Sequence, residues 1–541
     1  MRSARLRLLL VSALLPVAAI ASSGPPQDGA TTSQPQARPA QACEATQGHA
    51  MAVGRAGRVR TNASGATELH ASPFETHEAA QDQTIASSGA STADAGRASA
   101  TDTKTAGGLP PGYISETLPN GLTVSILPDP SNTIVATQVW YHVGSANEEA
   151  NTRGFAHLFE HMMFGGTTAH PKRDFDDFHH VNGGENNAFT SFDETVYVSE
   201  MPPANAGKIL DYEADRMVNL DLNQENLDNE KKIVTEELRV STENDPLSRL
   251  GTALLKQALG EHPYAIDPAG TKEDIAAVTL DHAREFYAKY YRPKNAHLVV
   301  VGRVDGPKTI EAVRRLFGSL PSDGTTPPDV PSVYGWKFPK EIDLQDDIPP
   351  VEVGILGFPL PPPASSDYFA LLVMQELLSG GNVDPFEEEL VKRRHKALGG
   401  GTQVVHARRG GAIVFYSYNL PYRRRATAFR LMTETRAVLG RFDWLDEESL
   451  AAAKRRLVRQ DLARVYYADS RASEIGSSKW WLGDERLAFE SASRIEAVTA
   501  GDVRTAFRKY VLVPEPLRVY VRPEHVPVMV RLFGWIHPLV N

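Results

Sequence analysis

Two histidines and a glutamate lie close together in the segment His157-Leu-Phe-Glu160-His161. Residues three and four apart on an α-helix share one face, so these three side chains would project within an arc of about 100°. Two imidazoles one helical turn apart can bind one small cation and leave the glutamate beside it. The spacing therefore predicts a helical metal-binding motif.

The residues around this motif are apolar, which predicts that the motif lies in the protein interior. The same stretch carries Phe155, Leu158, Phe159, Met162, Met163 and Phe164. Burying two imidazoles and a carboxylate without partners is unfavourable, and a metal ion would supply the partner. The alternative is a pair of surface or core histidines near an unrelated acid.

A third protein ligand is expected, because catalytic zinc sites use three protein ligands and a water molecule. The segment from Gln224 to Val240 has a helical pattern and contains Glu230, Glu236 and Glu237. Glu230 and Glu237 fall on one face two turns apart, and Glu236 points about 100° to the side. The segment is highly charged, so a solvated face is the alternative, and helix geometry alone does not choose among the three acids.

The elements that must position these residues are helices and strands in two similar halves. Ile275-Ala-Ala-Val-Thr279, a helix and an apolar strand recur later as Ile495-Glu-Ala-Val-Thr499, a helix and an apolar strand. Gly183-Gly184, followed by a strand and a proline, is echoed by Gly400-Gly401 in the same way. This weak repeat predicts the α+β class, with two similar domains that are each a mostly antiparallel sheet covered by helices.

The first residues have the three-part form of an export signal. Arginines at positions 2, 5 and 7 precede an apolar run, which ends at the small residues Ala19-Ile20-Ala21. This pattern predicts a cleaved signal peptide at residues 1–21 and an exported protein, periplasmic or extracellular, without a stable membrane span after cleavage. An uncleaved membrane anchor is the alternative, although the apolar run is short for a span of about 20 residues.

Composition divides the rest of the chain into a tether, two domains and a linker. Residues 22–108 are dominated by small and polar residues, which cannot bury enough apolar surface to offset chain entropy, and they contain the one cysteine, Cys43. We expect a metal-bearing domain at residues 109–321, a proline-rich linker at 322–340 and a second domain without a metal at 341–541.

Charge and cysteine content narrow the classes of function. The formal net charge of −10 gives no general attraction to nucleic acid or to anionic membranes. One cysteine excludes an intramolecular disulfide framework, so stability must come from core packing. The sequence therefore predicts a globular protein that binds no nucleic acid.

Several short motifs, in this order along the chain, resemble those of the pitrilysin or insulysin family of inverted zinc peptidases, and of its two-domain processing-peptidase branch in particular. They are Asn120-Gly121-Leu122, Gly144-Ser145, the metal motif, Gly183-Gly184, Asn187-Ala188-Phe189-Thr190-Ser191, Glu230 with Glu237, and Arg292-Pro293-Lys294-Asn295-Ala296. The resemblance spans residues 113–523. Several motifs in the correct order are far more specific than any one of them.

The resemblance implies a zinc-dependent endopeptidase that cuts peptides or unfolded segments. His157, His161 and Glu237 would bind one zinc ion per chain. Glu160 would be the general base, and Glu230 would support the ligands from behind.

The resemblance also implies a place for the substrate. Asn187, Ala188 and Phe189 would lie on an edge strand that pairs with the extended peptide. The alternative is an ordinary sheet strand, since strand addition needs a free edge.

One part of the family pattern is missing. In the family, the second half or a partner chain contributes an arginine and a following tyrosine near the substrate. The matching positions here are Arg393 and Gly400. The missing tyrosine implies a hetero-oligomer whose related chain supplies the arginine and tyrosine, with a homodimer as the alternative. A solvated residue in the basic run from Lys392 to Lys396 is the other interpretation of Arg393.

Two other functions compete with the peptidase hypothesis. One is a noncatalytic peptide-binding or assembly subunit on the same fold, and the other is a zinc hydrolase that does not act on peptides. A scaffold has no need for two histidines and a base on an apolar helix, and the predicted substrate strand argues against the second. The sequence favours the catalytic, metal-bearing subunit of a dimeric peptidase.

Overall fold

The computed structural model describes residues 108–149, 152–243, 245–322, 327–381, 383–421, 425–528 and 530. The predicted signal peptide lies outside these residues. So does the predicted tether, with Cys43, except for its last residue, Gly108. Among the described residues, no helix combines the length and the apolar character that a membrane span requires. The predicted domain and linker boundaries stay predictions.

A six-stranded sheet forms the centre of the first half. Its strands are β1 (Ile114–Thr117), β2 (Thr123–Pro128), β3 (Val135–Tyr141), β4 (Glu185–Thr190), β5 (Thr195–Met201) and β6 (Ala296–Gly302). They lie in the order β1-β2-β6-β3-β5-β4, and every neighbouring pair is antiparallel except β2 and β6. β4 is therefore an edge strand.

The turn and strand signals of the sequence account for this sheet. Asn120-Gly121 lies in the turn between β1 and β2, and Gly121 has a φ of 89°, which glycine adopts without steric cost. Every residue of β3 and β6 is buried, as expected of central strands covered on both faces.

The described part of the first half contains eight α-helices, and several of them cover one face of the first sheet. The helices are α1 (Phe155–Met162), α2 (Asp174–Val181), α3 (Ala206–Arg216), α4 (Gln224–Leu238), α5 (Pro246–Leu259), α6 (Lys272–Ala277), α7 (Leu280–Tyr290) and α8 (Gly306–Phe317). α1 contacts β4 and β5, α3 contacts β3, and α8 contacts β2. α4 and α7 pack on α1, which places α1 between the sheet and an outer helical layer.

The second half contains a five-stranded sheet. Its strands are β7 (Glu341–Asp346), β8 (Glu352–Leu360), β9 (Gly399–Ala407), β10 (Gly410–Asn419) and β11 (Leu517–Pro523), in the order β7-β11-β8-β10-β9, with only β7 and β11 parallel. Its helices are α9 (Tyr368–Ser379), α10 (Arg425–Leu439), α11 (Glu447–Arg464), α12 (Ala468–Ser477), α13 (Leu487–Ala497) and α14 (Ala500–Phe507), with π-helical turns at Glu388–Arg393 and Ser478–Leu482.

The two halves repeat the same strand order, and this confirms the predicted α+β class with two similar domains. Across the sheets, β2, β6, β3, β5 and β4 correspond to β7, β11, β8, β10 and β9. Thr279 caps α7 and Thr499 caps α14, each by accepting a backbone N–H with its hydroxyl. One detail differs from the sequence echo, because Gly400 and Gly401 lie inside β9, whereas Gly183 and Gly184 precede β4.

One helix of each half packs on the sheet of the other half. α12 of the second half packs on β3 and β6, where Ala472 and Ile475 join Trp140 and Val299 in one buried cluster. α5 of the first half packs on β7. The first sheet is therefore covered on both faces, by its own helices on one side and by a helix of the second half on the other.

Candidate metal centre

α1 carries the metal motif and is fixed in the core of the first half. Leu158 and Phe159 are fully buried. The helix begins after Gly154, which has a φ of 76°. The carboxylate of Glu148 accepts the backbone N–H groups of Gly154 and Ala156, at 2.8 Å each. Two free donors at the helix start are thereby satisfied, which holds the first turn in place.

Three side chains from α1 and α4 converge on one point. Nε2 of His157 lies 3.8 Å from Oε2 of Glu237, and Nε2 of His161 lies 3.4 Å from the same oxygen. The two imidazole rings are perpendicular, with centroids 5.0 Å apart. One ligand atom from each of the three residues lies within 4.8 Å of the others. These separations suit ligands around a single ion at about 2.0–2.2 Å.

The donor atoms of this group also fit a zinc ion. His157 is 1% exposed, and neither of its ring nitrogens has a hydrogen-bond partner among the described residues; the same is true of Nε2 of His161. Buried polar atoms are almost always paired, and a cation would pair these nitrogens. Two imidazoles and one carboxylate are a usual ligand set for Zn²⁺. His157, His161 and Glu237 would hold the ion.

The electrostatics of the three groups are those of metal ligands. Burial, with a contribution from His161, lowers the pKa of His157 to about 4, so its imidazole is neutral at pH 7. Burial would raise the pKa of Glu237, but the two histidines outweigh burial and lower it. Burial would lower the pKa of His161, but Glu237 and Glu160 outweigh burial and raise it. A metal ion would compete with the proton on His161, because only the neutral imidazole binds a metal.

Glu160 lies beside the ligands and is 1% exposed. The hydroxyl of Thr190 donates a hydrogen bond of 2.6 Å to Oε2 of Glu160, which fixes the direction of the carboxylate. Burial raises the pKa of Glu160 to about 7, and the Thr190 bond opposes that shift. A carboxyl group with this pKa can both accept and release a proton near neutral pH.

The structure separates the three acids of α4. Glu237 faces the histidines, whereas Glu236 is 62% exposed and pairs with Arg239 at 2.6 Å. Glu230 is buried behind the ligands, where one carboxylate oxygen accepts a hydrogen bond of 2.9 Å from Nζ of Lys172. Its other oxygen lies 3.9 Å from Nδ1 of His161. Glu230 therefore sits where it can orient the ring of a ligand without being a ligand.

Asn187, Ala188 and Phe189 lie on β4, at the edge of the first sheet. The backbone N–H of Ala188 bonds to the side-chain oxygen of Asn187 at 2.9 Å, so this amide points to the free edge rather than to β5. Alternate residues of a strand direct their amides to the same side, so alternate amides of β4 face the edge. The ring of Phe189 packs against Trp140, with centroids 6.2 Å apart, on the face covered by α12.

Arg393 lies in the second half and not among the metal residues. It is 69% exposed and 3.8 Å from Glu389, and its π-helical turn packs on β9 and α10. A Cβ atom at Gly400 would lie 2.7 Å from the carbonyl oxygen of Tyr416. A tyrosine therefore does not fit at position 400 without a backbone shift.

The second half has an ion pair where the first half has the candidate metal ligands. Gly380-Gly381 follows α9 as Gly165-Gly166 follows α1, and on this correspondence Gln375 and Glu376 stand where α1 has Glu160 and His161. Nε2 of His406, on β9, lies 2.8 Å from the amide oxygen of Gln375, and Arg456, on α11, is hydrogen bonded to Glu376. Among the described residues, this half offers no group of three metal-ligating side chains.

Two residues of the site, Lys172 and Thr190, have no role assigned from the sequence. Thr190 falls within the Asn187–Ser191 motif, so its position carried a signal. No sequence pattern pointed to Lys172, because its partner Glu230 lies 58 residues further along the chain, on another element.

Two profiles of known families match the chain. The profile described as Insulinase (Peptidase family M16) matches residues 123–272, and the profile described as Peptidase M16 inactive domain matches residues 277–457. The chain belongs to the M16 peptidase family. The inactive-domain profile extends over the second half of this chain as far as residue 457 and includes the ion pair of Glu376 and Arg456.

Two relatives of the chain are named zinc proteases. The chain is 34% identical over 293 residues to the zinc protease PqqE of Helicobacter pylori, an alignment that covers 53% of this chain and 65% of that protein. It is 27% identical over 394 residues to an uncharacterized zinc protease of Mycobacterium leprae, which covers 72% of this chain and 88% of the relative. Both of these relatives carry the zinc protease name.

Solved structures share the two-domain fold. A protease from Helicobacter pylori overlays with a TM-score of 0.68 at 26% identity, over 76% of this chain and 99% of that chain. The first half of the periplasmic protease PqqL from Escherichia coli overlays with a TM-score of 0.61 at 21% identity, over 78% and 94%. The second likeness shows the M16 fold alone.

Proposed function

We propose that this chain is a zinc-dependent endopeptidase and the metal-bearing subunit of a dimer. The observation that carries the proposal is the convergence of His157, His161 and Glu237 within 4.8 Å, beside the buried Glu160. A purely structural helix would not leave three buried imidazole nitrogens of His157 and His161 without a hydrogen-bond partner among the described residues, beside a buried carboxyl group. The zinc protease names of the M16 relatives support the same reading.

Each residue of the site has a chemical task in this proposal. Zinc, when bound, supplies a Lewis acid that polarises a carbonyl group and lowers the pKa of water. Glu160 accepts the proton of the attacking water and passes it to the leaving amine. Thr190 holds the carboxylate of Glu160 in place for both transfers. Glu230, held by Lys172, keeps the ring of His161 in its orientation.

β4 binds the substrate by strand addition. Its alternate amides and carbonyls face the free edge, where they can pair with an extended peptide. The edge runs beside α1, because the last residue of β4 is Thr190, which bonds to Glu160. A peptide added at this edge would pass the general base with its backbone stretched out.

Zinc content and peptide cleavage test the proposal. Glu237→Gln should lose the metal and cleave no quenched peptide, because it removes an anionic ligand. Glu236→Gln is the matched control, since its carboxylate is exposed on the same helix, and it should keep both properties. A wild type without zinc contradicts the proposal. A zinc-loaded chain that binds peptides but cleaves none, even with its partner, would be a noncatalytic peptide-binding subunit.

We also infer that a related chain completes the site. Arg393 is exposed in the second half and position 400 has no room for a tyrosine. Without a donor to the developing oxyanion, turnover of the lone chain should be lower by about two to three orders of magnitude. The lone chain and the co-purified complex should therefore differ by this factor in peptide hydrolysis. Equal activity of the two would contradict a partner-supplied arginine and tyrosine.

Export to the periplasm or the exterior is the third part of the proposal. The arginines and apolar run of residues 1–21 support it. Amino-terminal sequencing of the purified protein should find a start at residue 22. An intact Met1 in the purified protein would contradict cleavage.

A further inference from the structure

The turn that joins β4 to β5 contains two adjacent buried carboxyl groups. Asp193 and Glu194 are each 3% exposed. The turn directly follows Thr190, which is the last residue of β4 and the hydrogen-bond donor to Glu160. Burying two acids side by side is costly unless other groups hold them, so their partners show what the turn is fixed to.

Glu194 is held by two tryptophans of the second half. Nε1 of Trp480 and Nε1 of Trp481 each donate a hydrogen bond of 3.1 Å to Oε2 of Glu194. The hydroxyl of Ser191 donates a bond of 2.6 Å to the other oxygen, Oε1. One carboxylate of the first half is therefore fixed by donors that lie more than 280 residues further along the chain.

The donors are themselves immobilised. The ring of Trp480 stacks on His142 with parallel planes and centroids 3.7 Å apart. The guanidinium of Arg408 lies 3.8 Å from the centroid of the same indole. Trp480 thus sits between a residue of the first half and a residue of the second half, and its N–H has little freedom to leave Glu194.

The backbone of the turn is also tightly packed. The N–H of Ala146 donates to the carbonyl of Phe192 at 2.9 Å, and the N–H of Ser145 donates to the carbonyl of Ser191 at 3.2 Å. A Cβ atom at Gly144 would collide with the same two carbonyls, so the chains approach as closely as glycine permits. A displacement of the turn would therefore disturb β4.

We propose that Trp480 and Trp481 are positioning residues for the peptidase reaction. By holding Glu194 they fix the β4–β5 turn, and through it the edge of β4 and the bond from Thr190 to Glu160. The inference rests on the proposed function. It gives the second half a task at the active site, although the described residues of that half offer no group of metal-ligating side chains.

Trp481→Phe tests the proposal, because it removes one N–H donor, keeps an aromatic ring at position 481 and leaves the stack of Trp480 on His142 untouched. We expect about tenfold faster amide exchange in the peptide of residues 185–194, with zinc content unchanged, and about tenfold lower kcat/KM. Trp444→Phe is the matched control. Its indole donates to the carbonyl of Leu439 at 2.8 Å within the second half, and its loss should leave exchange in β4 and kcat/KM as in the wild type.

Glu194→Gln provides a second variant in case Trp481→Phe alters the fold. The side-chain amide of this variant keeps one oxygen as an acceptor for the two indoles, whereas Glu194→Leu keeps none. The backbone amides of β4 should therefore exchange more slowly in Glu194→Gln than in Glu194→Leu. Exchange in β4 at the wild-type rate in both Trp481→Phe and Glu194→Leu overturns the inference, whether or not the wild type cleaves peptide. A wild type without cleavage overturns the proposed function instead, and the exchange data still decide whether the tryptophans hold β4.

Discussion

At the scale of single residues, the hydroxyl of Thr190 governs where the carboxylate of Glu160 points. Thr190→Val keeps the shape and removes the donor. We expect kcat to fall about tenfold with zinc retained, because a bond to a charged group contributes about 1.5–3 kcal/mol. Glu160→Gln should retain zinc and lower kcat at least about a hundredfold. Steady-state kinetics and metal analysis measure both.

Thr435→Val is the matched control for Thr190→Val. Thr435 is fully buried in α10, and its hydroxyl donates to the carbonyl of Leu431 at 2.9 Å. Its loss should alter stability without altering kcat. If Thr190→Val and Thr435→Val have the same kcat, Thr190 does not orient the base.

His297 gives the fold a dependence on acid. It is fully buried in β6, with Nε2 at 2.9 Å from the hydroxyl of Ser125, and burial lowers its pKa from 6.5 to about 3. Between these values the unfolded chain binds the proton and the folded chain does not. The free energy of unfolding therefore falls as the pH drops from 6.5 towards 3.

His297→Gln should make that fall shallower, by up to about 1.4 kcal/mol per pH unit. Urea unfolding between pH 7 and pH 4 measures the slope. The wild type and the variant share His157, His161 and Glu237, so the difference in slope reports on His297 rather than on the proposed metal site. Equal slopes would mean that His297 has the same pKa in the folded and in the unfolded chain.

The sequence predicted the parts of the site that depend on local spacing. His157, Glu160 and His161 share a face because helical periodicity requires it. Helix geometry left open the choice among the acids of α4, and only the resemblance to the family selected Glu237, because the choice depends on how α4 is rotated against α1. That rotation is set by the packing of the two helices and not by the order of residues within either.

At the scale of elements, the free edge of β4 predicts an alternating pattern of substrate recognition. Peptides with a single N-methyl group on the backbone should lose affinity at every second position, because strand addition uses alternate amides. We expect KM to rise about tenfold at those positions and to change little at the positions between them. A scan of N-methylated quenched peptides measures this. A uniform effect along the peptide would contradict pairing with β4.

Glycine in β9 shows why element boundaries were harder to predict. Glycines usually mark turns, and the sequence placed Gly400-Gly401 ahead of a strand. In the structure they lie within β9, because the tyrosines of β10 occupy the space that larger side chains would need. Cβ atoms at Gly399 and Gly400 would meet the ring of Tyr418 and the carbonyl of Tyr416. Tertiary packing here overrides the local preference of glycine.

At the scale of the whole molecule, Gly476 allows the two halves to dock. It lies in α12, where a Cβ atom would collide with the indole of Trp140. Alanine is favoured over glycine in helices by about 1 kcal/mol, but overpacking a tight contact costs about 1–3 kcal/mol. Gly476→Ala should therefore lower the free energy of unfolding, as measured by urea denaturation.

Gly207→Ala is the matched control for Gly476→Ala. Gly207 lies in α3 with no atom within 4 Å of its Cβ position, so alanine should be neutral or stabilising there. Equal effects of the two substitutions would mean that α12 shifts freely on the first sheet.

The mutual covering of the two sheets could not be read from the sequence. Apolar periodicity identifies which face of α12 is buried, but it does not say against which sheet. The polar contacts that fix the docking carry no pattern either. Gln138 donates a hydrogen bond of 2.7 Å to Asp469, and these residues are 331 positions apart.

This crossing of helices has a consequence for the order of synthesis. When the chain emerges from its amino terminus, the apolar face of the first sheet around Trp140 and Val299 has no cover until α12 has been made. Contacts of such long range form late in folding. A nascent or truncated first half would therefore expose an aggregation-prone apolar surface. We expect it to need a chaperone until the second half has been synthesised.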